Sequence, residues 1–174
     1  MLKRALLFTL SIVFIALFTG CGGIKSPQSA KQSTSVAIKG AKISVLSLPG
    51  DTSSMTQDQL NELQRVGTWM DRDIIKQLNR AGYSPKLLTA RKDFSGSGYL
   101  LIIDVDNFNP GNRAARAFVG FGAGASSLDL DYQLLDSHSN VVTQWKDGVG
   151  SSKGGTYCAQ TLNRNTIKRL KGKL

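Results

Sequence analysis

Two pairs of carboxylates, Asp104/Asp106 and Asp129/Asp131, stand two residues apart in segments that alternate polar and apolar side chains. In an extended strand that spacing puts both members of a pair on one face. If the two segments pair, all four carboxylates gather opposite the apolar face. Like charges so close destabilise one another unless basic side chains or a cation intervene. Calcium would need such oxygens at about 2.3–2.6 Å, and the loop pattern D-x-[DN]-x-[DN]-G is not met. The expectation is a solvated outer face with Lys or Arg partners and no metal site. His138 is the single histidine. It falls in a predicted turn, without a G-x-S-x-G or catalytic-cysteine context, so a nucleophile would lack its base. H-E-x-x-H and C-x-x-C are absent, which leaves zinc without a ligand set. No catalytic residue and no cofactor is assigned, and the chain reads as a non-enzyme.

Three other features could bind rather than react. Gly120-Phe121-Gly122-Ala123-Gly124-Ala125 superficially matches G-x-G-x-x-A. A dinucleotide site needs that run between a strand and a helix, whereas here a strand follows. Glycines also permit positive φ and close backbone approach, as a tight or bulged β connection requires. Gly120 and Gly124 also make a G-x-x-x-G, so with Phe118, Val119 and Phe121 the loop could touch a membrane or a partner. Arg113 and Arg116 beside it could hold an anion. Trp69 is the third feature. It projects about 140° from the apolar stripe of its predicted helix, at 100° per residue, with Glu62, Arg65, Asp73 and Lys76. It is either a second packing surface, under the C-terminal helix or a loop, or an aromatic anchor for a partner. The candidate interaction residues are therefore Trp69, Arg113, Arg116, Gly120, Gly122 and Gly124.

The N-terminus carries the clearest pattern. Lys3 and Arg4 precede an uncharged apolar run, Ala5 to Phe18, which ends at Thr19-Gly20-Cys21. A cleaved secretory signal has this shape. A cysteine directly after a small residue resembles the bacterial lipobox, so Cys21 is the expected lipidation site. The competing reading of the same residues is a retained transmembrane anchor, since Ala5 to Ile24 is uncharged for about the length that spans a bilayer. Acyl chains contribute about 0.8 kcal/mol per buried CH₂, so two or three anchor stably without a protein span. Gly22 to Ser35 is rich in Ser, Gly, Gln and Lys and has too little apolar surface to order itself. The organisation is a signal peptide over residues 1–20, a tether over 21–36 and one domain over 37–174.

Charge narrows the partners. The chain has 22 basic and 12 acidic residues. Loss of residues 1–20 removes Lys3 and Arg4, leaving 20 basic residues and a net charge of +8. Lys153, Arg164, Lys168, Arg169, Lys171 and Lys173 follow Asp147 with no acid among them. For an exported chain this tail suits anionic lipid, lipopolysaccharide phosphate or cell-wall carboxylate. Zinc-finger, RNA-recognition and basic-zipper patterns are absent, so no nucleic-acid partner is expected. With Cys21 acylated, Cys158 has no partner for a disulfide and reads as a buried, inert thiol.

The positioning elements follow from periodicity. Lys42 to Leu48 alternates as a strand and stops at Pro49-Gly50. Thr56 and Gln59 make a capping box, with Met55 and Leu60 at staple spacing. Leu60, Leu63, Gly67, Met70, Ile74 and Leu78 then form one helical stripe, and Gly82-Tyr83 fits a Schellman end with Pro85 beyond. Lys86 to Thr89 is a candidate short strand, and Arg91 to Ser97 a polar loop. Tyr99 to Asp106 and Leu128 to Leu134 form a long antiparallel pair. Leu128, Leu130, Tyr132 and Leu134 share one face. A strand is expected at Val141 to Trp145, a flexible glycine- and serine-rich loop at Asp147 to Gly155, and a helix from about Tyr157. Its apolar side is Ala159, Leu162, Thr166, Ile167, Leu170 and Leu174. The fold class is α+β: a mixed or antiparallel sheet of four to five strands with two helices on one face.

Asn109-Pro110-Gly111-Asn112-Arg113-Ala114-Ala115-Arg116, followed by Val119-Gly120-Phe121-Gly122-Ala123-Gly124, resembles the signature of the bacterial domain-of-unknown-function family 4410. The likeness covers roughly residues 40–170 and is most specific over 109–136. Ala125-Ser126 departs from it, since a Lys is expected after Gly-Ala-Gly. The resemblance implies a lipoprotein of no assigned activity and supplies no catalytic residues. The function expected is a membrane-anchored lipoprotein acting as a non-catalytic binding or assembly module of the cell envelope. It would face the periplasm from the outer membrane if the host is Gram-negative, with an envelope protein as partner and an oligomeric state the sequence leaves open. The alternative is a surface-associated structural protein whose basic C-terminal helix binds anionic lipid or polymer.

Overall fold

The computed structural model describes residues 40–112 and 124–174, all within the compact unit Thr34–Leu174. In chain order the elements are β1 (Lys42–Leu48), α1 (Gln57–Arg80), β2 (Ser84–Leu87), a 3₁₀ turn (Arg91–Asp93), β3 (Tyr99–Asn109), β4 (Ser126–Leu135), β5 (Val141–Ser151) and α2 (Gly155–Lys171). The sheet order is β2-β1-β3-β4-β5. β1 runs parallel to β2 and β3, and β3, β4 and β5 are successively antiparallel. The fold is α+β with a five-stranded mixed sheet, as the alternation and helical stripes predict.

Both ends of α1 form as the sequence dictates. Thr56 Oγ1 accepts from Gln59 N, and Gln59 Oε1 accepts from Thr56 N. At the other end Gly82 N donates to Asn79 O and Tyr83 N to Leu78 O. Gly82 has φ +91°, which closes the Schellman turn. The buried stripe is Leu63, Val66, Met70, Ile74 and Leu78. It differs from the expected one: Val66 turns inward, while Leu60 and Gly67 stay half exposed. The helix is rotated towards Val66 because α2 lies beside it and must share the same face of the sheet.

That face is lined by Ile43, Val45, Leu101, Ile103, Val105, Phe108, Leu128, Leu130, Tyr132 and Leu134, all buried with Cys158, Ala159, Leu162 and Leu170 of α2. Strict alternation after Val105 would have buried Asn107. The register instead shifts between Val105 and Asn107, opposite Leu130 and Asp129. This bulge at Asp106 reverses the phase, so Phe108 enters the core and Asn107 turns outward. Tyr132 and Trp145 stack with centroids 4.7 Å apart under α2, and the Arg169 guanidinium lies 5.8 Å from the Trp145 ring. A smaller cluster on the opposite face joins Leu46, Leu88, Leu100, Ile102 and Leu135.

Two segments depart from expectation. The short strand is Ser84–Leu87 rather than Lys86 to Thr89. The stretch Asp147 to Gly155, expected as a flexible loop, mostly continues β5 to Ser151. Gly148 has a packing reason: a Cβ there would overlap the Asp129 carboxylate across the β4–β5 pair. Glycine here makes room rather than flexibility.

Candidate functional site

An open apolar groove of about 390 Å³ lies where the end of β1 meets the first half of α1. Leu48, Pro49, Leu60, Leu63, Met70 and Val105 form its apolar lining. Leu48 is 38% exposed, so the groove reaches solvent through it. Gly67 forms a gap in the α1 wall, since a Cβ built there meets nothing within 4 Å. The β1–α1 loop closes one side. Gly50 holds it there with φ +69°, and any Cβ at this position would overlap the Val105 carbonyl. Only glycine permits this approach of two backbones. Downstream, Ser53 N donates to Asp51 Oδ1 and Met55 N to Thr52 O, turning the chain into the helix cap.

One charged group faces into the groove. Asp71 accepts a hydrogen bond of 2.6 Å from Ser47 Oγ. Burial pushes its carboxyl above the ordinary carboxylate value, while the Ser47 bond opposes the rise. An apolar channel ending at one oriented carboxylate suits an apolar segment carrying an amide or amino donor. Neither Ser47 nor Asp71 stood out in the sequence. Ser47 occupies an ordinary polar place in the alternation, and no pattern marks Asp71 as its partner twenty-four residues on.

Trp69 lies on the far side of a ridge made by Gln64 and Thr68, which border both the groove and a shallow cleft lined by Asn61, Arg65, Trp69 and Arg72. The ring is half buried and packs against the helical core. Trp69 is thus a packing residue with one edge on a polar cleft. Arg65 is engaged by the Glu62 carboxylate and reaches Thr156 on α2.

Of the other candidates, Gly124 is described. It has φ +68° and its carbonyl accepts from Asn112 N. Gly111, at φ +71°, allows the Gly124 carbonyl to come so near that a Cβ would overlap it. These two glycines clamp the base of the β3–β4 connection. Ser126, in the Ala125-Ser126 pair that departs from the family signature, is buried and donates to Pro110 O at 2.6 Å. Arg113, Arg116, Gly120 and Gly122, and likewise Cys21, lie outside the described residues.

The four carboxylates do share the outer face. Asp104 sits opposite Asp131. Lys146 on β5 places its Nζ 2.9 Å from Asp131 and 3.6 Å from Asp106, which raises the lysine above its usual value through the Asp131 contact first. Asn107 Nδ2 donates to Asp129 at 3.1 Å. The basic partner the charges require is thus Lys146, and among the described residues no group of three metal-ligating side chains gathers. His138 sits in the exposed β4–β5 turn, 3.3 Å from Ser137 Oγ and with its backbone bound to Asp136. Cys158 is buried beneath Ser126 O, and burial raises its thiol.

Among the described residues no helix is long and apolar enough to cross a membrane. No curated protein matches the chain. Among solved structures, the dodecamer of PelC from Paraburkholderia phytofirmans shares its fold with a TM-score of 0.57 at 15% identity, covering 82% of this chain and 95% of that one. A dodecamer of a PelC variant from the same organism gives 0.57 at 15% identity, covering 79% and 94%. An uncharacterized lipoprotein B from Nitrosomonas europaea is more distant, with a TM-score of 0.26 at 12% identity over 87% of this chain and 83% of that one. The family model for the domain of unknown function 4410 (DUF4410) matches residues 34–167, and the chain belongs to that family.

Proposed function

We propose that this protein is a lipid-anchored lipoprotein of the cell envelope, acylated at Cys21, that works as a non-catalytic binding or assembly module. In a Gram-negative host it faces the periplasm from the outer membrane. The observation that carries the binding role is the groove beside α1: an open, apolar channel with one oriented carboxylate, held open by Gly50 and Gly67. Such a lining recognises a segment of another chain by burial of apolar area. Self-association is the version that the two sheet edges favour. Leu87 on edge strand β2 is 44% exposed, and Val141 and Val142 on edge strand β5 are 56% and 42% exposed. Unpaired edges with apolar side chains are ready-made pairing surfaces, and PelC, which shares this fold, is dodecameric.

The test has two parts. Metabolic labelling with a fatty acid should mark the protein and lose the mark in Cys21→Ala. A photo-crosslinking residue at Leu48 should yield a discrete adduct with a second copy or with one envelope protein, lost on filling the groove through Gly67→Met. Unlabelled protein, or a crosslinker that finds only water in a folded chain, would defeat the reading.

A further inference from the structure

α1 and α2 lie side by side and run in the same direction. Arg65 Nη1 donates to Thr156 Oγ1 at 3.4 Å near both N-terminal ends. Further along, Asn163 Nδ2 donates to Met70 O and to Asp73 Oδ2, each at 3.0 Å. At the far end Arg80, in the last turn of α1, and Lys171, the last residue of α2, line one cleft with Arg164. The contacts advance in step, so the two C-termini share one pole of the molecule.

That pole is cationic. The cleft between the helices, of about 330 Å³, is bordered by Arg80, Arg164 and Lys171, with Gln77 and Gln160 as further polar groups. Lys168 and Lys173 follow on the same final turns, both exposed. Among the described residues, ion pairs form at Arg65–Glu62 and at Lys146 with Asp106 and Asp131, and none involves Arg80, Arg164 or Lys171. Arg164 makes a hydrogen bond of 3.2 Å to Thr161 Oγ1. The one acid in the cleft, Asp73, already accepts from Gln77 and Asn163. Asp136, at the same end of the sheet, accepts from its own turn at Asn140 and His138. Helix C-termini favour cations. That accounts for Arg80 and Lys171, but not for Arg164, which lines the same cleft from two turns back.

The second observation is where the chain joins this pole. Gly40, the first described residue, donates its N–H to the Gly82 carbonyl at 2.8 Å, and Ser84 N donates to Ala41 O at 2.9 Å. Gly82 lies two residues beyond Arg80. Gly40, to which Cys21 is joined through residues 22–39, therefore stands at the pole that carries the cationic cleft. The apolar groove lies at the opposite end of β1, near Leu48.

We infer that the cleft of Arg80, Arg164 and Lys171 docks on the phosphodiester headgroups of the bilayer that holds the anchor, turning the apolar groove away from the membrane. Guanidinium groups suit phosphate oxygens because their paired N–H donors match them. The contact can be weak, because attachment at the same pole raises its effective concentration to about the millimolar range. The inference deepens the membrane-anchored reading but is tested apart from it, with no acyl chain present.

The test uses the chain from residue 21 carrying Cys21→Ser, which keeps every described residue. It is sedimented with phosphatidylcholine vesicles with or without phosphatidylglycerol. Binding is expected only to the mixed vesicles and should fall as salt rises. Each neutralised cation should weaken it about five-fold, and Arg80→Gln with Lys171→Gln about 25-fold. Lys92→Gln, on the exposed 3₁₀ turn, should leave it unchanged, and unaltered melting curves verify folding. Equal binding to both vesicles, or insensitivity to the double substitution, would overturn the inference. So would capture of a soluble anionic polysaccharide with no vesicle binding. Should sedimentation succeed while Cys21 proves unacylated, the lipid-anchor reading alone is lost.

Discussion

Gly67 offers the sharpest handle on the groove, because filling it and destabilising the fold are separable there. The residue sits inside α1, between buried Val66 and Met70, with ordinary helical backbone and no neighbour within 4 Å of an added Cβ. A glycine inside a helix costs roughly 0.8–1 kcal/mol relative to alanine. With nothing to collide with, Gly67→Ala should recover about that amount. For a domain of this size it corresponds to a rise in Tm of about 4 °C. Gly67→Met has a nearly equal helix propensity and extends a flexible side chain over the groove. It should also melt no lower than the parent, while closing the channel between Leu48 and Met70. Thermal unfolding followed by far-ultraviolet circular dichroism measures the first effect, and the Leu48 crosslinking yield measures the second. A fall in Tm for Gly67→Ala would refute the reasoning. It would mean that the space above Gly67 is filled in the native protein, and that the gap is a packing requirement.

Three further outcomes follow from particular contacts. Asn163→Ala removes a neutral and a charge-assisted hydrogen bond between the helices and leaves a void, so urea unfolding should show a loss of about 2–4 kcal/mol. Gly148→Ala should cost about 1–3 kcal/mol through overlap with Asp129, and Asp129→Ser should relieve most of that in a double-mutant cycle. Burial raises Asp71, so the native state holds that proton more tightly than the unfolded chain. Its contribution to stability is complete below the ordinary carboxylate value of 3.8 and is lost as pH rises through the elevated native value. Asp71→Asn should therefore gain on the parent protein as the pH rises from acid to neutral in chemical denaturation. A constant difference across that range would contradict the burial of this carboxyl.

Much of the fold was legible because local rules agreed with one another. Thr56, Gln59, Gly82 and Tyr83 bracket α1 by hydrogen bonds that need no tertiary partner. The alternation from Leu128 to Leu134 can bury one face in only one way. Where the reading slipped, a neighbour had overruled the local signal. The rotation of α1 towards Val66 is set by α2, more than eighty residues away. β5 outruns its expected end because Gly148 answers Asp129 on the adjacent strand, and composition alone cannot tell a glycine that yields space from one that gives freedom. The bulge at Asp106 belongs to the same class: it is recognisable only once Val105 and Asn107 are set against Leu130 and Asp129.

Composition and periodicity alone settled the α+β class, the ends of α1 and the outward side of each strand's carboxylate pair, since each depends on residues within a few positions or on a repeat of two. Tertiary structure alone decided what those elements enclose. Ser47 meets Asp71, the Val105 carbonyl excludes every residue but glycine at position 50, and Arg80 converges with Arg164 and Lys171 at the pole where Gly40 pairs with Gly82. These are encounters between elements far apart in sequence. Their geometry comes from the shared packing of two parallel helices on one sheet, which no local pattern encodes.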